Sequence, residues 1–116
     1  MNIKIKRIYD EPTKDDGKRV LVDRLWPRGI SKDRAKIDLW AKNIAPSHEL
    51  RKWFNHDPDK WIEFEEKYYT QLDSKTESLI PIFELTKNYN VTFIFSSKEI
   101  KLNNAVALKQ YFEKKI

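Results

Sequence analysis

The chain has 116 residues, a formal net charge of +5, two glycines and no cysteine. That length fills one domain, residues 1–116, with a single core that needs no staples. The lack of cysteine excludes disulfides, thiolate metal clusters and a thiol nucleophile. Gly17 and Gly29 alone are too few for a P-loop or a G-x-G-x-x-G fingerprint, in which the backbone must approach a phosphate without intervening Cβ atoms.

A nucleotide-dependent ATPase, a dinucleotide dehydrogenase and a Gly-rich methyltransferase are therefore disfavoured, and no cofactor is expected. The basic charge is uneven. Residues 1–58 hold 14 Lys and Arg against 9 Asp and Glu, whereas residues 59–116 hold 9 of each. All six arginines (Arg7, Arg19, Arg24, Arg28, Arg34 and Arg51) lie in the first half. Arginine presents a planar fork suited to carboxylate and phosphate, so this clustering says more than the net charge does. The plain alternative is a solvated basic face.

In chain order, Met1–Arg7 shows no apolar run after its charges, so a cytoplasmic location is expected. No apolar stretch approaches the length of a membrane span. Ile3 and Ile5 alternate with Lys4 and Lys6, which predicts a half-buried strand over 3–8. Residues 10–18 are polar with Pro12 and Gly17 and read as a loop. A second strand spans Arg19–Leu25, and Ser31 can cap one helical turn. Ile37–Ile44 fits strand or helix.

Ser47 predicts a short helix carrying Leu50, Trp53 and Phe54. Asp57-Pro58-Asp59 opens the next helix, in which Trp61, Phe64, Tyr68 and Leu72 form one apolar stripe. Ser74 and Glu77 form a capping box for another helix, with Pro81 about two turns in to kink or delay it. Val91–Phe95 reads as a strand covered on both faces. Asn103 or Asn104 caps a last helix with Ala105, Leu108 and Phe112 inward. The pattern predicts a small single-domain α/β sandwich, with a three- or four-stranded, mostly parallel sheet flanked by helices.

Ligands of open α/β sheets gather at the carboxyl ends of the strands. The second strand runs into Asp23-Arg24-Leu25-Trp26-Pro27-Arg28-Gly29, and the late strand into Ser96-Ser97-Lys98 before the Asn103 helix start. A shared rim would gather Arg24, Arg28, Trp26, Ser96, Ser97, Lys98 and Asn103, a set suited to an anion. Trp26 would wall the pocket, or else enter the core as part of a structural turn. Asp23 and Lys98 are the candidates for proton transfer should burial shift them.

A second cluster, Ser47 to Asp57, contains Arg51 and both chain histidines, His48 and His56. His56-Asp57 resembles an oriented base, but Asp57 already serves as a helix cap, so the structural role is favoured. The histidine spacing matches no metal motif, and no metal is expected.

Three runs carry a family resemblance: Arg7-Ile-Tyr-Asp10, then Asp16-Gly17 with Arg19-Val-Leu-Val-Asp-Arg-Leu-Trp-Pro-Arg-Gly29, then Ala45-Pro-Ser47 with Glu49-Leu-Arg-Lys-Trp-Phe54. Together they resemble the YeaO-like family of domains of unknown function. The resemblance implies a compact bacterial-type α/β domain with no established activity. It carries signature positions onto Asp23, Arg24, Trp26, Pro27, Arg28, Gly29, Ser47, Arg51 and Asn103. Where the family pattern has Asn-His-Ala, this chain has Asn103-Asn104-Ala105.

Three functions are compatible with these readings. In order of preference they are binding of, or action on, a small phosphate- or carboxylate-bearing ligand, a nucleic-acid-binding module, and a protein-interaction domain. Neither a helix-turn-helix nor an RNP-like motif supports the second.

Overall fold

The computed structural model describes residues 2–115. Strands β1 (Ile3–Arg7), β2 (Lys18–Leu21), β3 (Leu39–Trp40) and β4 (Val91–Phe95) form one sheet in the order β1-β4-β2-β3. Every pairing is parallel, with Ile5 and Val20 both opposite Phe93 and Leu21 opposite Trp40. The helices are α1 (Lys32–Ala35), α2 (His48–Phe54), α3 (Trp61–Asp73), α4 (Thr76–Asn88) and α5 (Asn104–Lys115). The expected α/β class with a parallel sheet is the observed one. Central β4 is buried at all five positions, in keeping with its unbroken apolar run.

Alternation along the strands divides the core in two. Ile3, Val20, Val22, Val91, Phe93 and Phe95 face the larger core, which α2, α3, α4 and α5 cover. Leu21 and Ile94 face a smaller core with Ile8 and Ala35, against which Trp26, Ile30, Ile37 and Trp40 pack.

The strand order explains the asymmetry. The β1-to-β2 and β2-to-β3 connections step across the sheet in one direction, and β3-to-β4 steps back. Parallel crossovers share one hand, so reversing direction moves the connection to the other face. The chain from β3 to β4, with α2, α3 and α4, therefore lies opposite the short connections that hold α1 and the 3-10 turn Lys14–Asp16.

Local signals account for most element ends. Ser47 Oγ accepts the Leu50 N–H at 3.1 Å, and Asn103 Oδ1 accepts the Val106 N–H at 3.0 Å. Ser31 caps the single turn of α1. Residues 37–44 hold both alternatives in succession, a two-residue strand and the 3-10 turn Lys42–Ile44.

Two expectations need correcting. β2 stops at Leu21, not Leu25: after the Val22 N–H bond to the Ile94 carbonyl the chain leaves the sheet for the connection to β3. The Ser74 capping box does not form either. Its hydroxyl donates instead to the Gln71 carbonyl of α3, and α4 starts at Thr76 without a side-chain cap. Pro81 lies inside α4 on an exposed face, where water can satisfy the carbonyl that its missing N–H leaves free.

The second face is held by a buried ion cluster that the sequence reading did not anticipate. Arg19, 3% exposed, donates from Nη1 to Asp16 Oδ2 at 2.6 Å and from Nε to the Ala35 carbonyl at 3.0 Å. Lys6 Nζ donates to Asp16 Oδ1 at 2.9 Å. Thr92 Oγ1 donates to the Asp16 carbonyl, which ties the turn to β4. Gly17, at φ 62°, follows directly, and a Cβ there would run into the Asn90 carbonyl.

Burial alone would raise the Asp16 pKa. The Thr13 backbone N–H, Lys6, Arg19 and the Thr13 hydroxyl outweigh it and hold the carboxyl at about 2, below the ordinary 3.8. A folded-state value below the unfolded one stabilises the fold above about pH 3.8, and this contribution fades as pH falls toward about 2. It amounts to roughly 2 kcal/mol. Asp16→Asn should destabilise the protein by about 3 kcal/mol at pH 7, because Arg19 loses its buried partner. Urea unfolding should also show a flatter pH dependence between pH 4 and 2 than the parent does.

Candidate functional site

A cleft of about 980 Å³ opens over the carboxyl ends of β2 and β4. The chain leaving β2 turns to the smaller core, and the chain leaving β4 turns to the larger one. Adjacent strands that diverge in this way leave a crevice between them, the usual ligand position in open α/β sheets. Asp23–Leu25 line one side and Ser96–Glu99 with Leu102–Asn104 another. The third wall is α2 and the turn after it, from Pro46 to His56, with Phe64 of α3 behind. The two sequence clusters treated separately above are thus opposite walls of one cleft.

Asp23 joins the two strand ends. Its Oδ2 accepts the Ser96 N–H at 2.9 Å and the Ser96 hydroxyl at 2.7 Å, and its Oδ1 accepts Asn104 Nδ2 at 3.2 Å. Asn104 also donates to the Val22 carbonyl at 3.0 Å. Arg7, at the end of β1, donates to the Ser97 carbonyl at 2.9 Å and so holds the same loop from the far edge. Ser97 Oγ accepts the Glu99 N–H, and Glu99 Oε2 accepts the N–H groups of Lys101 and Leu102 at 2.7 and 3.2 Å. Those backbone donors hold the Glu99 carboxyl below its ordinary range, with lesser help from His56 and Lys101. Both cleft carboxylates are therefore engaged, Asp23 by the loop after β4 and the start of α5, Glu99 by its own loop.

The basic side chains are in the opposite condition. Arg24, His48, Arg51, Lys52, His56 and Lys98 line the cleft and are exposed. Among the described residues none of them reaches a carboxylate within 4.0 Å. Arg24 Nη2 lies 3.4 Å from His48 Nδ1. The Asn55 and His56 backbones are both left-handed, at φ 46° and 56°, where the chain reverses after α2. Asp57 Oδ1 accepts the Asp59 N–H, so this acid caps its own turn and does not orient His56.

Of the residues expected at the site, the structure brings Asp23, Arg24, Arg51, Ser96, Ser97, Lys98 and Asn103 to the cleft. Asn103 is buried as the α5 cap, and Ser47 lies just behind the lining, bonded to Leu50 and Gln71. Trp26 and Arg28 are not brought there. The Trp26 indole donates to the Ile30 carbonyl at 2.7 Å and meets Trp40 edge-on, with ring centroids 5.4 Å apart, in the smaller core. The physical cause is topological: Trp26-Pro27-Arg28-Gly29 belongs to the β2-to-β3 connection, which must cross that face. Arg28 is exposed, and its carbonyl accepts the Tyr9 hydroxyl.

His48, Lys52, His56 and the aromatic floor of Phe54 and Phe64 complete the cleft. The signal for them was the Ser47 cap, which placed a helix start after the third strand. No group of three or more His, Asp or Glu side chains among the described residues could hold a metal ion.

Replacing Asp23 by Ala should cost about 2–3 kcal/mol, because it strands the Ser96 N–H and removes charge-assisted bonds. Hydrogen exchange should show the Ser96 amide losing protection more than amides in β1 do.

Comparison with known proteins agrees with this architecture. The model of the family described as the inactive DUF488-N3 subclade matches residues 2–116. The uncharacterised protein YeaO of Escherichia coli K12 is 39% identical over 111 residues, covering 96% of each chain. An uncharacterised protein of Mycobacterium tuberculosis H37Rv is 37% identical over 108 residues, 93% of this chain and 91% of its own. No solved structure matches the chain. The chain therefore belongs to the YeaO-like DUF488 family, in the branch described as its inactive N3 subclade.

Proposed function

We propose that the cleft binds a small phosphate- or carboxylate-bearing ligand and holds it without turnover. The observation that carries this reading is the charge state of the lining. Among the described residues six exposed basic side chains have no carboxylate within 4.0 Å, while both acids are engaged by donors of the surrounding loops and of α5. An incoming anion is thus the complement the cleft lacks.

Binding rather than catalysis follows from the same bonds. Asp23 accepts from three donors and is committed to holding the two strand ends and α5 together. Lys98 is exposed at the cleft. The description of the matching family as inactive supports the same view.

A thermal-melting screen against phosphorylated and carboxylated metabolites tests this. A ligand present at about 100 times its Kd should raise the melting temperature by several degrees. Arg24→Ala and Arg51→Ala should each weaken that ligand about tenfold, and Arg28→Ala should leave it unchanged. Absence of any shift, together with steeply salt-dependent binding to generic RNA or DNA, would replace this reading by the nucleic-acid one.

A further inference from the structure

The cleft is larger and less polar than an anion alone requires. Its volume of about 980 Å³ is at the upper end of sites that enclose whole organic ligands. The basic groups occupy the mouth on α2 and on the loops after β2 and β4. The lining also includes five apolar residues, Leu25, Pro46, Phe54, Phe64 and Leu102, drawn from all of its walls.

Leu25 is 62% exposed, and Leu102 is half-buried. Covering Leu25 with an apolar group would be favourable, in proportion to the area removed from water. The Phe54 and Phe64 rings pack with centroids 4.5 Å apart and a 30° tilt, and Trp61 lies 5.9 Å from Phe54. An aromatic cluster thus forms one part of the lining, and the leucines of the loops after β2 and β4 form another.

We infer that the ligand is amphiphilic, with one anionic group at the basic mouth joined to an apolar, ring-sized body between Leu25 and Leu102 over the Phe54–Phe64 floor. This rests on the anion-binding reading above and adds the chemistry of the remainder of the ligand. Free phosphate or a short carboxylate would neutralise the mouth and leave the apolar half of the cleft in water. A body with ring faces and edges covers it, and the aromatic floor offers the complementary surface.

Isothermal titration of the whole protein with inorganic phosphate, methyl phosphate, phenyl phosphate and phenol tests the inference. Phenyl phosphate should bind at least about tenfold more tightly than methyl phosphate, as expected for burying one ring. Leu25→Ser, at an exposed position the fold does not need, should bring that ratio toward one, and Leu102→Ser should do the same. Arg24→Ala should weaken both esters and preserve their ratio. Equal affinity for the two phosphate esters would overturn the inference and leave the anion site standing. Failure of inorganic phosphate and both esters to bind would overturn the anion reading and the inference with it. Phenol binding as tightly as phenyl phosphate would also overturn both, because the charge would then contribute nothing.

Discussion

One carboxylate holds the working end of this fold together. Neighbouring parallel strands twist relative to each other, and nothing in their backbone pairing keeps their carboxyl ends at a fixed separation once the ladder stops. Asp23, two residues past the end of β2, accepts donors from the first residue after β4 and from the first residue of α5. Strand end, loop and helix start are thereby fixed to one side chain. Both loops that line the cleft inherit their positions from it. The same three bonds commit most of the acceptor capacity of its carboxylate to this clamp.

The two faces of the sheet solve the burial problem differently. The larger core rests on helices with conventional apolar stripes: Phe64, Tyr68 and Leu72 from α3, and Ala105, Leu108 and Phe112 from α5. The smaller face has only one helical turn and loops, too little apolar surface to close over the strands by itself. It is completed by the paired indoles of Trp26 and Trp40 and by the Lys6–Asp16–Arg19 cluster. A buried ion pair contributes modest net stability but strict geometry, since any rearrangement would strand a charge. It thereby fixes the turn before β2 against β4.

Much of this was legible in the residues. The β1 and β4 strands, the Ser47, Asp57 and Asn103 caps and the α3 stripe follow from periodicity and capping chemistry, which act over a few residues. Features that depend on strand order were not legible. No local rule says that β4 inserts between β1 and β2, so the face on which Trp26-Pro27-Arg28 lands could not be read from the turn itself. Entry of Trp26 into the core was one of the two alternatives the turn offered, and nothing local decided between them. The meeting of the Ser47–Asp57 segment with the rim has the same origin: contact between distant segments is set by topology. Arg19 and Asp16 looked like ordinary surface charges because burial of an ion pair leaves no periodic trace.

The distribution of tryptophan has an optical consequence. Trp26 and Trp40 lie together on the smaller face, each with its indole N–H hydrogen-bonded to a backbone carbonyl. Trp53 and Trp61 lie on the opposite side, among the helices that wall the cleft, and Lys60 and Lys67 stand over the Trp53 ring. The four indoles form two separated chromophore pairs in unlike electrostatic surroundings. Intrinsic fluorescence of single-tryptophan variants can therefore report separately on each side of the sheet, so that loosening of one side during unfolding registers as a spectral change the other does not share.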